Sequence, residues 1–128
     1  MDLLLDTHAF LWWLAEDPRL SAAARDAVAD PSARVHVSAA SAWEIATKHR
    51  LGKLPGAAVV AADVAAEIAA EAFVALPVTV LHGQQAGALP GPHRDPFDRM
   101  LIAQALHEGM TLVSNETAFD AYGVTRLW

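Results

Sequence analysis

The chain has 128 residues, 54% apolar and 19% charged, with no cysteine and a formal charge of −6 from 15 acids against 9 lysines and arginines. This length suits one domain, 1–128, that buries roughly two-thirds of its unfolded surface without disulfides. Zero cysteines excludes thiol catalysis, iron–sulfur clusters and thiolate zinc sites, and suits a reducing cytoplasm.

In chain order, residues 3–5 (LLL) form a short apolar run ending at Asp6, as expected of a central parallel strand. Residues 9–15 follow as a helix, stopped by Asp17-Pro18. Ser21 caps a second helix over 22–29, and Asp30-Pro31 ends it. Residues 34–38 (RVHVS) alternate and predict a strand. A helix is expected over 41–51 with Gly52 as its stop, and an Ala-rich helix over 59–72 with Asp63, Glu67 and Glu71 on one stripe. Residues 73–76 read as a strand, and Thr79 caps a helix through 88. A Pro/Gly loop, 89–94, leads to Asp95-Pro96 and a long helix over 97–108, stopped by Gly109. A strand over 111–114, a short helix over 117–121 and a last strand over 124–127 complete the chain. Strand and helix alternate, which predicts an α/β/α sandwich around a mostly parallel sheet.

Two membrane readings fail. The opening MDLLLDTH lacks the basic n-region of a signal peptide. Residues 72–93 carry no charge, but Pro77, Gly83, Gly87, Pro90, Gly91 and Pro92 interrupt them, and a spanning helix needs ~20 mostly apolar residues. No membrane partner is expected.

In parallel sheets ligands bind beyond the carboxyl ends of the strands. Asp6, Glu44, Asp98 and Glu116 fall at that address, with Asp95 one turn before Asp98. Each also has a capping explanation. Asp6 or Thr7 would cap the first helix, Ser41 and Glu44 fit a capping box, and Asp95 fits an N-cap before Pro96. Glu116 would complement a helix dipole. Capping explains the separate positions but not the convergence. Carboxylates gathered on one rim repel one another, and a hard divalent cation, Mg²⁺ or Mn²⁺, relieves that repulsion. At −6 the molecule as a whole repels nucleic acid, so any phosphate contact must be local.

Four collinear stretches carry a resemblance: LLLDTHAFLWWL with Asp6, SAASAWEIATKHRLGKL with Glu44, HRDPFDRMLIAQAL with Asp98, and TLVSNETAFDAYGV with Glu116. In these the chain resembles the PIN-domain family and, within it, the VapC-type toxins of bacterial toxin–antitoxin pairs. The resemblance implies an α/β/α nuclease that cuts RNA with Mg²⁺ or Mn²⁺. It implies a small antitoxin partner and a homodimer. Asp6, Glu44 and Asp98 match the family's three core acids. The fourth position is usually Asp and here is Glu116.

The residues themselves suggest roles. Asp6 and Asp98 would ligate the metal, Glu44 would ligate it or orient its water, and Glu116 would support or hold a second ion. Thr7, Ser114 and Asn115 flank the acids, each as a hydrogen-bond partner or a backbone cap. His93, Arg94 and Arg99 are candidates for RNA phosphates at the rim. Lys48, His49, Arg50 and Lys53 form the other basic cluster, and favourable charge at a helix end explains them equally well. The six histidines show no HExxH spacing. Trp12 and Trp13 cannot share a helix face, so one is open to a partner unless both pack at a helix junction. Trp43 reads as core. A catalytically silent RNA- or partner-binding module is the alternative, and it predicts missing acids. A phosphatase with Asp6 as nucleophile predicts a second Asp two residues on, where His8 stands.

Overall fold

The computed structural model describes residues 1–128. Its strands are β1 (Asp2–Leu5), β2 (Arg34–Ser38), β3 (Val74–Leu76), β4 (Thr111–Val113) and β5 (Arg126–Leu127). Between them run α1 (Thr7–Leu14), α2 (Ala22–Ala29), α3 (Ala39–Arg50), α4 (Ala58–Ala62), α5 (Val64–Ala70), α6 (Val80–Ala88) and α7 (Pro96–Glu108). A 3-10 turn, Thr117–Tyr122, precedes β5. The sheet is parallel throughout, in the order β3-β2-β1-β4-β5.

β1 is central because its Leu run can be buried on both faces. Alternation along the strand sends Leu3 and Leu5 into a layer with Phe10, Val35, Val37 and Ile45. Leu4 faces the other way, onto Leu101, Ile102, Leu112 and Phe119. All three leucines are fully buried. The chain first builds outward from β1 to β2 and β3, then crosses to the other side for β4 and β5. This reversal of strand order leaves a crevice at the carboxyl end of β1.

Helix ends follow the local chemistry. Ser21 Oγ accepts from the Ala24 N–H, Thr79 and His82 form a reciprocal capping box, and Gly109 closes α7 at φ +67. The expected helix over 59–72 is two helices. Asp63 breaks it with an extended backbone (φ −158, ψ 82), and its side chain accepts from the Ala66 N–H at 3.0 Å. An Asp that can bond its own backbone stops a helix that Ala would continue. α3 begins at Ala39, two residues earlier than expected, because Ser38 rather than Ser41 caps it.

The tryptophans also differ from expectation. Trp43 is 62% exposed, not core. Trp12 packs edge-on against Trp128 at 5.8 Å, while Trp13 lies 6.1 Å from Phe73 and donates to Glu71. Both are half-buried, at separate junctions. No helix is long and apolar enough to cross a membrane.

Leu4→Ala should cost about 3 kcal/mol of unfolding free energy in urea, the usual range for a truncated core leucine. A loss below about 1 kcal/mol would remove β1 from the centre of the core.

Candidate active site

Strand register assembles the site. Leu5 pairs with Val37 on one side and Val113 on the other, so Asp6 emerges beside Ser38 and Ser114. Asp6 is only 6% exposed. It does cap α1: Oδ1 accepts from the Ala9 N–H at 2.8 Å. The Ser114 hydroxyl, fully buried just past β4, lies beside the same carboxylate and favours its ionised form.

Glu44 is buried as well, but the capping box expected with Ser41 does not form because α3 starts earlier. Its carboxylate points instead at other side chains. The Thr7 hydroxyl donates to Oε1 at 2.5 Å and lies 3.0 Å from the Ser41 hydroxyl, and the Lys48 ammonium pairs with Oε2. Asp98 stands in the first turn of α7, its Oδ2 2.9 Å from His93 Nε2. Asp95 accepts from the N–H groups of Phe97 and Asp98, at 2.9 and 3.3 Å. That is the N-cap role foreseen for it.

The electrostatics show the strain of this gathering. Burial pushes the Asp6 carboxyl up, with Glu44 adding to the effect, against the hydrogen bonds from Ser114 and Ala9. Burial and then the neighbouring Asp95 charge raise Asp98 to about 6, with His93 opposing and Glu44 reinforcing. Burial alone would lower the Lys48 ammonium. The hydrogen bond and charge of Glu44, with Asp95 and Asp98 beyond, hold it above its ordinary value. Lys48 is thus a counter-ion inside the site.

Other candidates lie apart. Glu116 is exposed, opens the 3-10 turn without capping it, and touches the site only through its backbone N–H, which donates to Ser114 Oγ at 3.0 Å. Asn115, Arg50 and Arg94 are exposed. Arg99 cannot serve as the free phosphate ligand expected of it. Its guanidinium donates to the carbonyls of Ala86, Gly87, Leu89 and His93. A surface arginine and one tied to a loop's carbonyls look alike in a sequence.

A second cluster escaped the sequence analysis. His82, His107 and Glu108 place three ligand atoms within 4.8 Å, at the far end of α7. Its network does not suit an ion. His82 Nδ1 accepts from the Thr79 N–H and the Gln104 amide, so the proton sits on Nε2 and is donated to Glu108 at 2.9 Å. The nitrogen facing the cluster therefore offers no free lone pair.

The family model described as PIN domain matches residues 3–124. The chain belongs to the PIN-domain family. It is 32% identical over 115 residues to Ribonuclease VapC22 of Mycobacterium tuberculosis, covering 89% of this chain and 86% of that protein. Its fold matches VapBC2 from Rickettsia felis bound to a DNA fragment from their promoter, with TM-score 0.70, 13% identity, and 98% and 97% of the two chains covered. It also matches M. tuberculosis VapC20, a sarcin-ricin loop cleaving toxin, with TM-score 0.67, 21% identity and 96% of each chain covered.

PIN nucleases are metal-dependent. The donor set of this PIN domain suits a hard cation: all carboxylate and hydroxyl oxygen, buried at Asp6, Glu44 and Thr7 and half-buried at Asp98, with the Asp6 and Asp98 carboxyls raised chiefly by burial and further by neighbouring acids.

A carboxyl raised from 3.8 to about 6 adds to stability while protonated, and that contribution disappears as pH climbs through about 6. The melting temperature of metal-free Asp98→Asn should therefore fall less than wild type's between about pH 4 and 6. Equal slopes would show that Asp98 is not under this stress.

Proposed function

We propose that this PIN domain, spanning 1–128, is a metal-dependent endoribonuclease, the toxin of a toxin–antitoxin pair. The observation that carries the reading is the burial of Asp6 and Glu44 beside Asp98 at the strand-order reversal. The 32% identity to a VapC ribonuclease supports it. The reading includes a small antitoxin as partner, a homodimer and a cytoplasmic setting.

Asp6 and Asp98 would hold Mg²⁺ or Mn²⁺, with Glu44 as a further ligand or as the group that orients the attacking water. The ion supplies a water of lowered pKa and positive charge against the phosphoryl oxygens. The chain's own residues set the geometry. The α1 N-terminus fixes the Asp6 carboxylate, with the Ser114 hydroxyl beside it, while Thr7 fixes one oxygen of Glu44. Lys48, beside Glu44, keeps the site's net charge low enough for an anionic substrate to approach. Glu116, exposed just past β4, would support the site or a second ion. Arg94 and Arg50 are exposed cations left for RNA phosphates, with exposed Asn115 as a further contact and buried Ser114 supporting Asp6.

A fluorogenic RNA substrate should be cleaved with Mg²⁺ or Mn²⁺ and spared with EDTA. Asp6→Asn should lower the rate at least about 100-fold, the scale lost with one group acting on transition-state charge. Its far-UV circular dichroism should stay unchanged. Wild-type cleavage by this variant would move the chemistry elsewhere. A folded wild type that binds RNA yet never cuts it, with either ion, would make the protein a silent binding module.

A further inference from the structure

The loop before α7 is rich in Pro and Gly and largely exposed, yet it is tied down at Leu89 and His93. Arg99 reaches back from α7 to the carbonyls of Ala86 (3.0 Å), Leu89 and His93 (2.9 Å). From the other side, the Tyr122 hydroxyl accepts the His93 N–H at 3.0 Å. Gly91 passes so close to Tyr122 that a Cβ there would sit 2.8 Å from the hydroxyl oxygen, and its φ of +97 disfavours any side chain. The His93 ring rests against Phe119 and Tyr122, at 5.8 and 6.4 Å between centroids. Four of these contacts, from Arg99, the Tyr122 hydroxyl, Phe119 and the Tyr122 ring, fall on His93.

They aim His93 Nε2 at Asp98 Oδ2, 2.9 Å away. Asp98 needs such a partner. It shares its surroundings with Asp95 and Glu44, and repulsion from both favours turning its carboxylate out toward solvent. The bond to His93 takes one carboxylate oxygen and leaves Oδ1 without a hydrogen bond. Hydrogen bonds of this kind, made to a ligating side chain by a residue outside the coordination sphere, orient metal ligands.

We infer that His93 is a positioning residue: presented by the loop that Arg99 and Tyr122 clamp, it holds the Asp98 carboxylate in the orientation that receives the cation. This rests on the proposal that Asp98 is a metal ligand, so the experiment separates the two.

Mn²⁺ affinity is measured by electron paramagnetic resonance of the free ion, without RNA, on wild type and on Asp98→Asn, His93→Ala, His93→Gln and Gly91→Ala. Circular dichroism and thermal melting check the fold of each. His93→Ala should bind Mn²⁺ 10- to 100-fold more weakly, roughly the range for losing such a partner. His93→Gln, whose amide N–H reaches nearly the place of Nε2, should return to within about threefold of wild type. Gly91→Ala, which displaces the loop without touching the acids, should weaken binding in the same direction. The idea is overturned if His93→Ala binds as wild type does or more tightly. It is equally overturned if His93→Gln is as weak as His93→Ala, because a ring that merely packs would not be rescued by an amide. If Asp98→Asn binds Mn²⁺ as tightly as wild type, Asp98 is no ligand, and the metal assignment falls together with the role of His93.

Discussion

The burial of carboxylates that the fold will not let apart is the constraint on which this structure turns. Asp6 cannot move away, because it directly follows the central strand and caps α1. Glu44 cannot, because α3 packs its buried face against the same end of the sheet. Asp98 is fixed by the first turn of α7. The molecule answers with partial measures: hydroxyls from Thr7 and Ser114, the ammonium of Lys48, the imidazole of His93, and carboxyl groups held above their ordinary protonation range. None of these supplies the two positive charges that a divalent ion would bring to the same few ångströms.

This local arrangement also reconciles the acidity of the whole with a phosphate-cleaving reading. A formal charge of −6 repels a polyanion at a distance. Within about a Debye length of the site, however, individual groups matter more than the total. Lys48 is committed to Glu44, and Arg99 is committed to a loop, so the cations that remain for RNA are few and at the surface.

Much of the site was legible in the sequence because parallel strands advertise their carboxyl ends. LLLD places Asp6 at a strand terminus, and DPFD places Asp98 in a first turn, whatever the strand order. Glu44 was harder. The sequence SAWE fits a capping box one turn into the real helix, and only the earlier start at Ser38 shows that its carboxylate is free for other work. Trp43 was misread for a similar reason: an aromatic beside a buried acid on a helix points about 100° away from it, and here that direction is solvent. The break at Asp63 depended on one side chain outcompeting a run of alanines.

The sequence by itself determined the alternation of strand and helix, the burial of β1 on both faces, and the residue types able to hold a hard cation. Those follow from local periodicity, turn chemistry and the oxygen donors themselves. Only the tertiary structure decided that the acids share one crevice, because that depends on β4 lying beside β1 rather than beyond β3. It alone turned Arg99 from a surface cation into a clamp, and His93 from a loop residue into the partner of Asp98. Arg99 reaches backbone carbonyls, which any residue can offer, and His93 meets Asp98 only because its own N–H and carbonyl are held by Tyr122 and Arg99, so no pattern of side-chain types announces either.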